Sequence, residues 1–320
     1  MTSIEPDEFV ESQCDAHPHT MEDYESDVPR WCKGCGDHGV LSTLQRLLVE
    51  EQLDPEMMVS VSGIGCSSRL PHYLKTYGFH GIHGRALPLS LGVSLARPEM
   101  KVLTVMGDGD CFSIGSAHWL HTLRYNPNLL VLVLDNEVYA LTKKQVSPTS
   151  PKGSVTNTTP HGAYLESLNP LTVILGIKNV SFLAQTATWL PNHMEATLRK
   201  AWDHKGLAFV RIMQRCPVFM PEFFSAGGFQ SAVHYLEHTE GIAVDKATTR
   251  GAPITPHNPR DIHAAREISE ELEPTPMGLI FYHPEVPTYG EIRSSHVANL
   301  TREGLIEKLN QRLDKYTVQR

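Results

Sequence analysis

Gly107-Asp108-Gly109-Asp110 is followed, 25 residues after Asp110, by Asp135-Asn136. Mg²⁺ prefers near-octahedral oxygen coordination, usually from one or two carboxylates together with phosphate oxygens and water. Asp108 offers a carboxylate and Asn136 an uncharged oxygen, and the glycines let backbone N–H groups approach a phosphate. By itself a Gly-Asp-Gly tripeptide is an ordinary turn. Paired with an Asn at this distance, with both at strand ends, it suits a Mg²⁺-diphosphate site.

A second set of residues is built on sulfur. Cys32-Lys33-Gly34-Cys35 is a C-x2-C pair, Cys66 sits in Gly63-Ile64-Gly65-Cys66-Ser67-Ser68, and Cys216 follows a strand-like run. Iron–sulfur clusters need four thiolates, and a local pair is often completed by distant cysteines. Structural zinc is usually bound by two short pairs, whereas here the last two cysteines are unpaired. Spacing alone leaves cluster, zinc and unrelated cysteines all open. Cys111 directly follows the diphosphate turn and reads as a small buried residue. Two cations stand nearby in sequence: Arg69, three positions after Cys66, and Lys143, after Leu141-Thr142. Either can pair with a substrate carboxylate; the alternative is a solvated surface cation.

The elements that must position these residues alternate. Leu41, Leu44, Leu47 and Leu48 recur at helical spacing, Met58–Val61 is a β-branched run, and 86–96 reads as a helix before Pro98. Lys101–Met106 and Leu129–Leu134 read as buried strands separated by a helix-like stretch over 114–125, and a polar loop covers 142–160. A βαβ passage follows, with strand 179–184, helix 191–202 and strand 207–213. This pattern predicts an α/β fold with a mainly parallel sheet and helices on both faces. In such sheets ligands sit at the carboxyl ends of strands, where the turn after Val61, the turn after Met106 and Asp135-Asn136 all fall. Beyond 224 the pattern is less regular, with a helix near 260–272, a strand Gly278–Tyr282 and a helix near 301–316. The expected organisation is an acidic flexible arm over 1–30, a cofactor domain over 31–223, and a C-terminal extension over 224–320 that packs on the domain or on a partner.

The arm holds nine Asp/Glu against the single Arg30, and the whole chain carries a formal charge of −8. No Lys/Arg run suggests a basic stripe, so nucleic acid is excluded as a partner. No segment has the basic start and apolar run of a signal peptide. No stretch approaches the roughly 20 apolar residues of a membrane helix, so a cytoplasmic location is expected. Six cysteines in such a chain point to metal ligation or burial rather than to disulfides.

The spacing from Gly107-Asp108-Gly109 to Asn136 resembles the thiamine diphosphate motif, with Asn136-Glu137-Val138 as its second half. That implies Mg²⁺ ligands at Asp108, Asn136 and the main-chain carbonyl of Val138. More specifically, five motifs occur together and in order: Trp31-Cys32-Lys33-Gly34-Cys35-Gly36, Ser62-Gly63-Ile64-Gly65-Cys66-Ser67, His83-Gly84-Arg85-Ala86, Gly107-Asp108-Gly109-Asp110, and Asp135-Asn136 with Tyr139. The set resembles the β subunit of 2-oxoacid:ferredoxin oxidoreductases over about 30–220, and Pro276–Tyr282 and Pro287-Thr288-Tyr289 resemble its C-terminal part. The resemblance implies one [4Fe–4S] cluster on Cys32, Cys35, Cys66 and Cys216. It implies thiamine contacts at Ile64, Gly65, Cys66, Ser67, His83, Gly84, Arg85, Ala86, Gly109, Asp110, Ala140 and Leu141. With His83 in a cofactor loop and His17/His19 in the arm, no second metal is expected.

The implied activity is reversible, coenzyme A-dependent oxidative decarboxylation of a 2-oxoacid, with electrons passed through the cluster to ferredoxin. Arg69-Leu70-Pro71 to His83-Gly84-Arg85 looks most like the 2-oxoglutarate type, which forms succinyl-CoA. No activating Glu is found in the motifs; in this family an obligate α subunit supplies it, in an (αβ)₂ assembly. One departure stands out: many relatives have Gly-Gly or Lys-Gly where this chain has Lys143-Lys144, so a stiffer or differently shaped loop is expected. The alternatives are pyruvate or broad 2-oxoacid specificity, a cluster-free thiamine-dependent decarboxylase, and a zinc-stabilised module.

Overall fold

The computed structural model describes residues 17–221, 233–249, 251–271, 273–295 and 301–316. Its strands are β1 (Met58–Ser62), β2 (Tyr77–His80), β3 (Lys101–Gly107), β4 (Leu129–Asp135), β5 (Val138–Tyr139), β6 (Gln145–Val146), β7 (Phe182–Ala187), β8 (Leu207–Met213), β9 (Val233–Glu237), β10 (Ile254–Pro256) and β11 (Thr275–Tyr282). The helices are α1 (Met21–Tyr24), α2 (Asp37–Glu51), α3 (Ala86–Ala96), α4 (Ser116–Tyr125), α5 (Pro170–Ile174), α6 (Pro191–Trp202), α7 (Ile262–Glu270), α8 (Tyr289–Ser294) and α9 (Arg302–Leu313).

All seven residues of β4 are buried, because an unbroken apolar run is stable only where both faces of a sheet are covered. Leu130, Leu132 and Leu134 point into a layer shared with Leu44 and Leu48 of α2 and Leu198 of α6. Leu129, Val131 and Val133 point the other way, against Leu87 of α3, Trp119 of α4 and Ile268 of α7. Each such side chain contributes on the order of 1.5–3 kcal/mol by leaving water. The nine-stranded sheet runs β10-β9-β11-β7-β8-β4-β3-β1-β2, and β5 and β6 form a separate hairpin. Within the nine-stranded sheet the pairings are parallel except β11 against β7, and the expected α/β sheet with helices on both faces is what forms.

Three local differences from the sequence reading have physical causes. The strand expected over 179–184 lies at Phe182–Ala187; the short-range pattern there does not separate a strand from its leading turn. The helix expected from 114 begins at Ser116, after a π-turn over Asp110–Ile114 that ends at Gly115; such turns are frequent at functional sites. Within the stretch read as a flexible arm, residues 1–16 lie outside the described residues, but α1 packs on α2 and Glu25 and Arg30 bond to Leu74 and Tyr73. Tyr24 is fully buried and its hydroxyl donates to Leu53 O at 2.6 Å, so one aromatic anchors a segment whose acid count suggested solvation.

The C-terminal part enters the same sheet rather than standing apart. Gly278 of β11 pairs with Gln185 of β7, and β9 pairs along the outer side of β11.

Candidate active site

Turns at the carboxyl ends of β1, β3 and β4 meet in one cleft. It is lined by Ile64–Ser67, His83, Gly107–Asp110, Asn136 and Val138–Thr142, and holds about 520 Å³ out to its open mouth.

Asp110 ties two of these turns together. Its Oδ1 accepts from His83 Nδ1 at 2.5 Å, Gly84 N at 2.6 Å and Ile64 N at 3.2 Å, while buried Oδ2 has no hydrogen-bond partner. Burial pushes its carboxyl up, against these donors. Gly63 is required beside it, because a Cβ there falls 2.1 Å from Asp110 Oδ2. Gly109 is required for a similar reason: a Cβ falls 2.3 Å from Tyr139 Cε1, and the Tyr139 hydroxyl donates to Gly109 O at 3.0 Å.

Asp108 is buried and its Oδ2 accepts from the Ser147 hydroxyl, with Asn136 N donating to Oδ1 at 3.4 Å. Asn136 Oδ1 accepts from Val138 N at 3.2 Å, a local turn that includes Glu137 at φ 59°. Burial and then the Asp135 charge push Asp108 up to about 7, and burial with Asp135 pushes Glu137 up to about 8. Three carboxylates are thus crowded where β3 and β4 end, Arg211 pairs directly with Asp135, and a divalent cation is a species that relieves such crowding at Asp108. With Asn136 and the Val138 carbonyl beside them, the residues present fit a Mg²⁺-diphosphate.

The four cysteines singled out by spacing gather next to this cleft. Cys32 is exposed, Cys35 and Cys66 are half-buried and Cys216 is buried, and Cys66 and Cys216 share an apolar pocket with Val138, Ala140 and Met220. Burial, Asp37, Cys216 and Cys32 push the Cys66 thiol up to about 12, opposed by Arg69; burial, then Asp37, raises Cys35 further. Phe219 N donates to Cys216 Sγ at 3.4 Å, and Trp31 Nε1 donates to Cys66 O at 2.7 Å. Among the described residues no three His, Cys, Asp or Glu side chains converge as ligands of a single ion. Cys32, Cys35, Cys66 and Cys216 supply the four thiols that an iron–sulfur cluster takes.

The remaining expected residues fall elsewhere. Gly84 supplies only its backbone N–H to Asp110, exposed Arg85 donates to Ile114 O at 3.4 Å, and buried Ala86 opens α3. Arg69 does not line the cleft; its guanidinium lies 5.9 Å from the Tyr73 ring centre. Lys143 is exposed beside the lining residue Thr142. Lys143 and Lys144 have φ of 69° and 63°, the left-handed region that glycine enters freely. Asn157 holds this shape, its N donating to Lys144 O at 2.9 Å and its side chain to Lys143 O. The loop therefore keeps a glycine-like course without glycine. Sequence reasoning missed Ser147 and Thr149, hidden in a polar loop, and Arg211, whose signal is a lone cation in the apolar strand Leu207–Met213.

Residues 63–212 match the family described as thiamine pyrophosphate enzyme, C-terminal TPP binding domain. Fold and site together define a thiamine diphosphate-binding α/β protein. The 2-oxoglutarate oxidoreductase subunit KorB of Mycobacterium tuberculosis is 37% identical over 88% of this chain and 82% of its own length. The 2-oxoacid:ferredoxin oxidoreductase 1 subunit beta of Aeropyrum pernix is 33% identical over 82% of this chain and 80% of its own. A solved structure of 2-oxoglutarate:ferredoxin oxidoreductase from Magnetococcus marinus, with 2-oxoglutarate, coenzyme A and succinyl-CoA bound, superposes with a TM-score of 0.76 at 31% identity, covering 90% of this chain and 95% of that one. The chain belongs to the β-subunit family of the 2-oxoacid:ferredoxin oxidoreductases.

Proposed function

We propose that this chain is the β subunit of a 2-oxoglutarate:ferredoxin oxidoreductase, active in the reversible, coenzyme A-dependent oxidative decarboxylation of 2-oxoglutarate to succinyl-CoA. One [4Fe–4S] cluster held by this chain would supply the one-electron path to ferredoxin, and the cytoplasm is the proposed location. The observation that carries this reading is the turn Gly63–Ser67. Its residues 64–67 line the cleft, and within it Cys66 joins Cys216 in the adjoining pocket, so diphosphate site and thiol group are neighbours. The relatives above, named for 2-oxoglutarate, support the choice of substrate.

Thiamine diphosphate supplies the electron sink for loss of CO₂. The chain's own residues do the holding. Asp108, Asn136 and the Val138 carbonyl would hold Mg²⁺, and Cys32, Cys35, Cys66 and Cys216 would hold the cluster. Asp110 locks the Ile64 and Gly84 backbones at the cleft, and Ala140 and Leu141 line one wall of it. Of the two candidate cations, Lys143, next to the lining residue Thr142, is the one assigned to a substrate carboxylate; Arg69 lies off the cleft, over Tyr73. The carboxylates that line the cleft are Asp108 and Asp110, both engaged with the chain, so the activating glutamate is assigned to an α subunit. Edge strand β2 exposes Tyr77 and Phe79, and Tyr164 and Leu165 are 74% and 82% exposed. Apolar surface of this kind is suited to a partner, and an (αβ)₂ assembly is the proposed form.

Steady-state assay of the co-purified α/β complex with ferredoxin, coenzyme A and a panel of 2-oxoacids tests the reading. kcat/KM for 2-oxoglutarate is expected to exceed that for pyruvate at least roughly tenfold, the discrimination one charge-assisted hydrogen bond supplies. Lys143→Ala should raise KM for 2-oxoglutarate more than for pyruvate. Equal kcat/KM on both acids would assign broad specificity instead.

A further inference from the structure

A line of buried hydrogen bonds runs beneath the cleft from β11 to the loop after β3. Gln185 Nε2 of β7 donates to Pro276 O of β11 at 2.8 Å. Arg211 Nη1 of β8 donates to Gln185 Oε1 at 3.1 Å. Arg211 Nε and Nη2 lie 2.7 and 2.6 Å from Asp135 Oδ2 at the end of β4. Asp135 Oδ1 accepts from Thr149 Oγ1 at 2.8 Å and Glu137 N at 3.2 Å, and the same Thr149 hydroxyl lies 3.3 Å from Asp108 Oδ2. Sheet register sets the line: Gln185 stands opposite Arg211 on β7 and β8, and Arg211 opposite Val133 on β4.

Gln185, Asp135 and Thr149 are buried, and the Arg211 side chain is 12% exposed. A charged pair in such a place is poor evidence of a stabilising role, since apolar side chains of similar volume often serve stability as well or better. Neither Arg211 nor Asp135 lines the cleft. Asp135 is instead joined to it twice, through the backbone to Asn136 and through Thr149 to Asp108.

We propose that Arg211 and Asp135 are a positioning pair that sets Asn136 and Asp108 in the arrangement that receives the Mg²⁺-diphosphate. This rests on the reading of Asp108 and Asn136 as ligands of that metal. Arg211 grips Asp135 with two nitrogens of its fork, and Gln185 fixes the third to β11. The C-terminal strand thus braces a turn three strands away in the sheet order. The pair acts through Asn136 and Asp108 and touches no substrate.

The test uses the purified α/β complex, freed of thiamine diphosphate by chelation and titrated with Mg²⁺ and thiamine diphosphate in a calorimeter. Arg211→Met, Arg211→Lys, Arg211→Met with Asp135→Asn, and Asp108→Ala are compared, with iron content and far-ultraviolet circular dichroism as controls. Arg211→Met and the double variant are expected to weaken cofactor binding roughly ten- to a hundredfold, the effect of removing supports behind metal ligands. Iron content and KM for the 2-oxoacid at saturating cofactor should not move. Arg211→Lys should fall between, because it restores the charge without the fork. The double variant leaves no orphaned carboxylate, and so stays informative if Arg211→Met does not fold. Wild-type affinity in the double variant, alongside loss of binding in Asp108→Ala, would overturn the positioning role alone. Wild-type affinity in Asp108→Ala would overturn the metal-ligand reading and the inference with it.

Discussion

Asp108 and Asp110 are two residues apart and divide the work of one turn. Asp108 stands among Ser147, Thr149 and Asn136 N at the metal end, whereas Asp110 gives one oxygen to three donors from two other turns. The motif Gly-Asp-Gly-Asp made both residues visible in the sequence. The role of Asp110 was not visible, because its partners lie 26 to 46 positions away and no local pattern links them. Gly63 is the sharpest probe of that clamp. Gly63→Ala should destabilise the region by about 1–3 kcal/mol, the usual cost of overpacking, and weaken thiamine diphosphate binding. Equilibrium dialysis with wild-type affinity and unchanged hydrogen-exchange protection over 60–66 would show that the clamp tolerates a methyl group. Lys143 and Lys144 illustrate the converse: the absence of glycine was legible, but the backbone shape was set by Asn157, 13 and 14 positions on.

At the scale of elements, the long apolar strands and the helices 86–96 and 191–202 were legible because their periodicity is strong and their ends carry Pro or Gly. What could not be read was how polar residues inside these elements are paid for. His193 of α6 and His204 after it are both buried, with Thr186 Oγ1 2.8 Å from His193 Nδ1 and Ser181 Oγ 2.8 Å from His204 Nε2. Burial pushes each histidine down to about 4. The unfolded chain therefore binds protons below its ordinary histidine value of about 6.5 while the folded chain does not. Stability from this source is complete above that value and is lost as pH falls through the window from 6.5 to about 4. Hydrogen-exchange protection of 191–202, corrected for the intrinsic rate, should drop up to roughly tenfold per pH unit per histidine there. His193→Asn should flatten the slope. A slope identical to wild type would place the sensitivity elsewhere.

At the scale of the molecule, one sheet runs through both the part read as a cofactor domain and the part read as an extension. The extension was harder to read because β9 and β10 are short and β11 pairs antiparallel in an otherwise parallel sheet. Its integration gives the C-terminal strand a place behind the metal turn, through Gln185 and Arg211. No helix among the described residues is long and apolar enough to cross a membrane. The exposed side chains of β2 and of Tyr164 and Leu165 suit the proposed α subunit.

The thiamine diphosphate site and the proposed four-iron cluster would meet in this one chain at Gly63–Ser67. The most direct measurement is metal analysis with electron paramagnetic resonance on the anaerobically purified α/β complex, for wild type and Cys66→Ser. Four irons assigned to this chain, a brown colour and a signal on reduction are expected, all lost in Cys66→Ser. Colourless protein with stoichiometric zinc, or iron that survives Cys66→Ser unchanged, would contradict it.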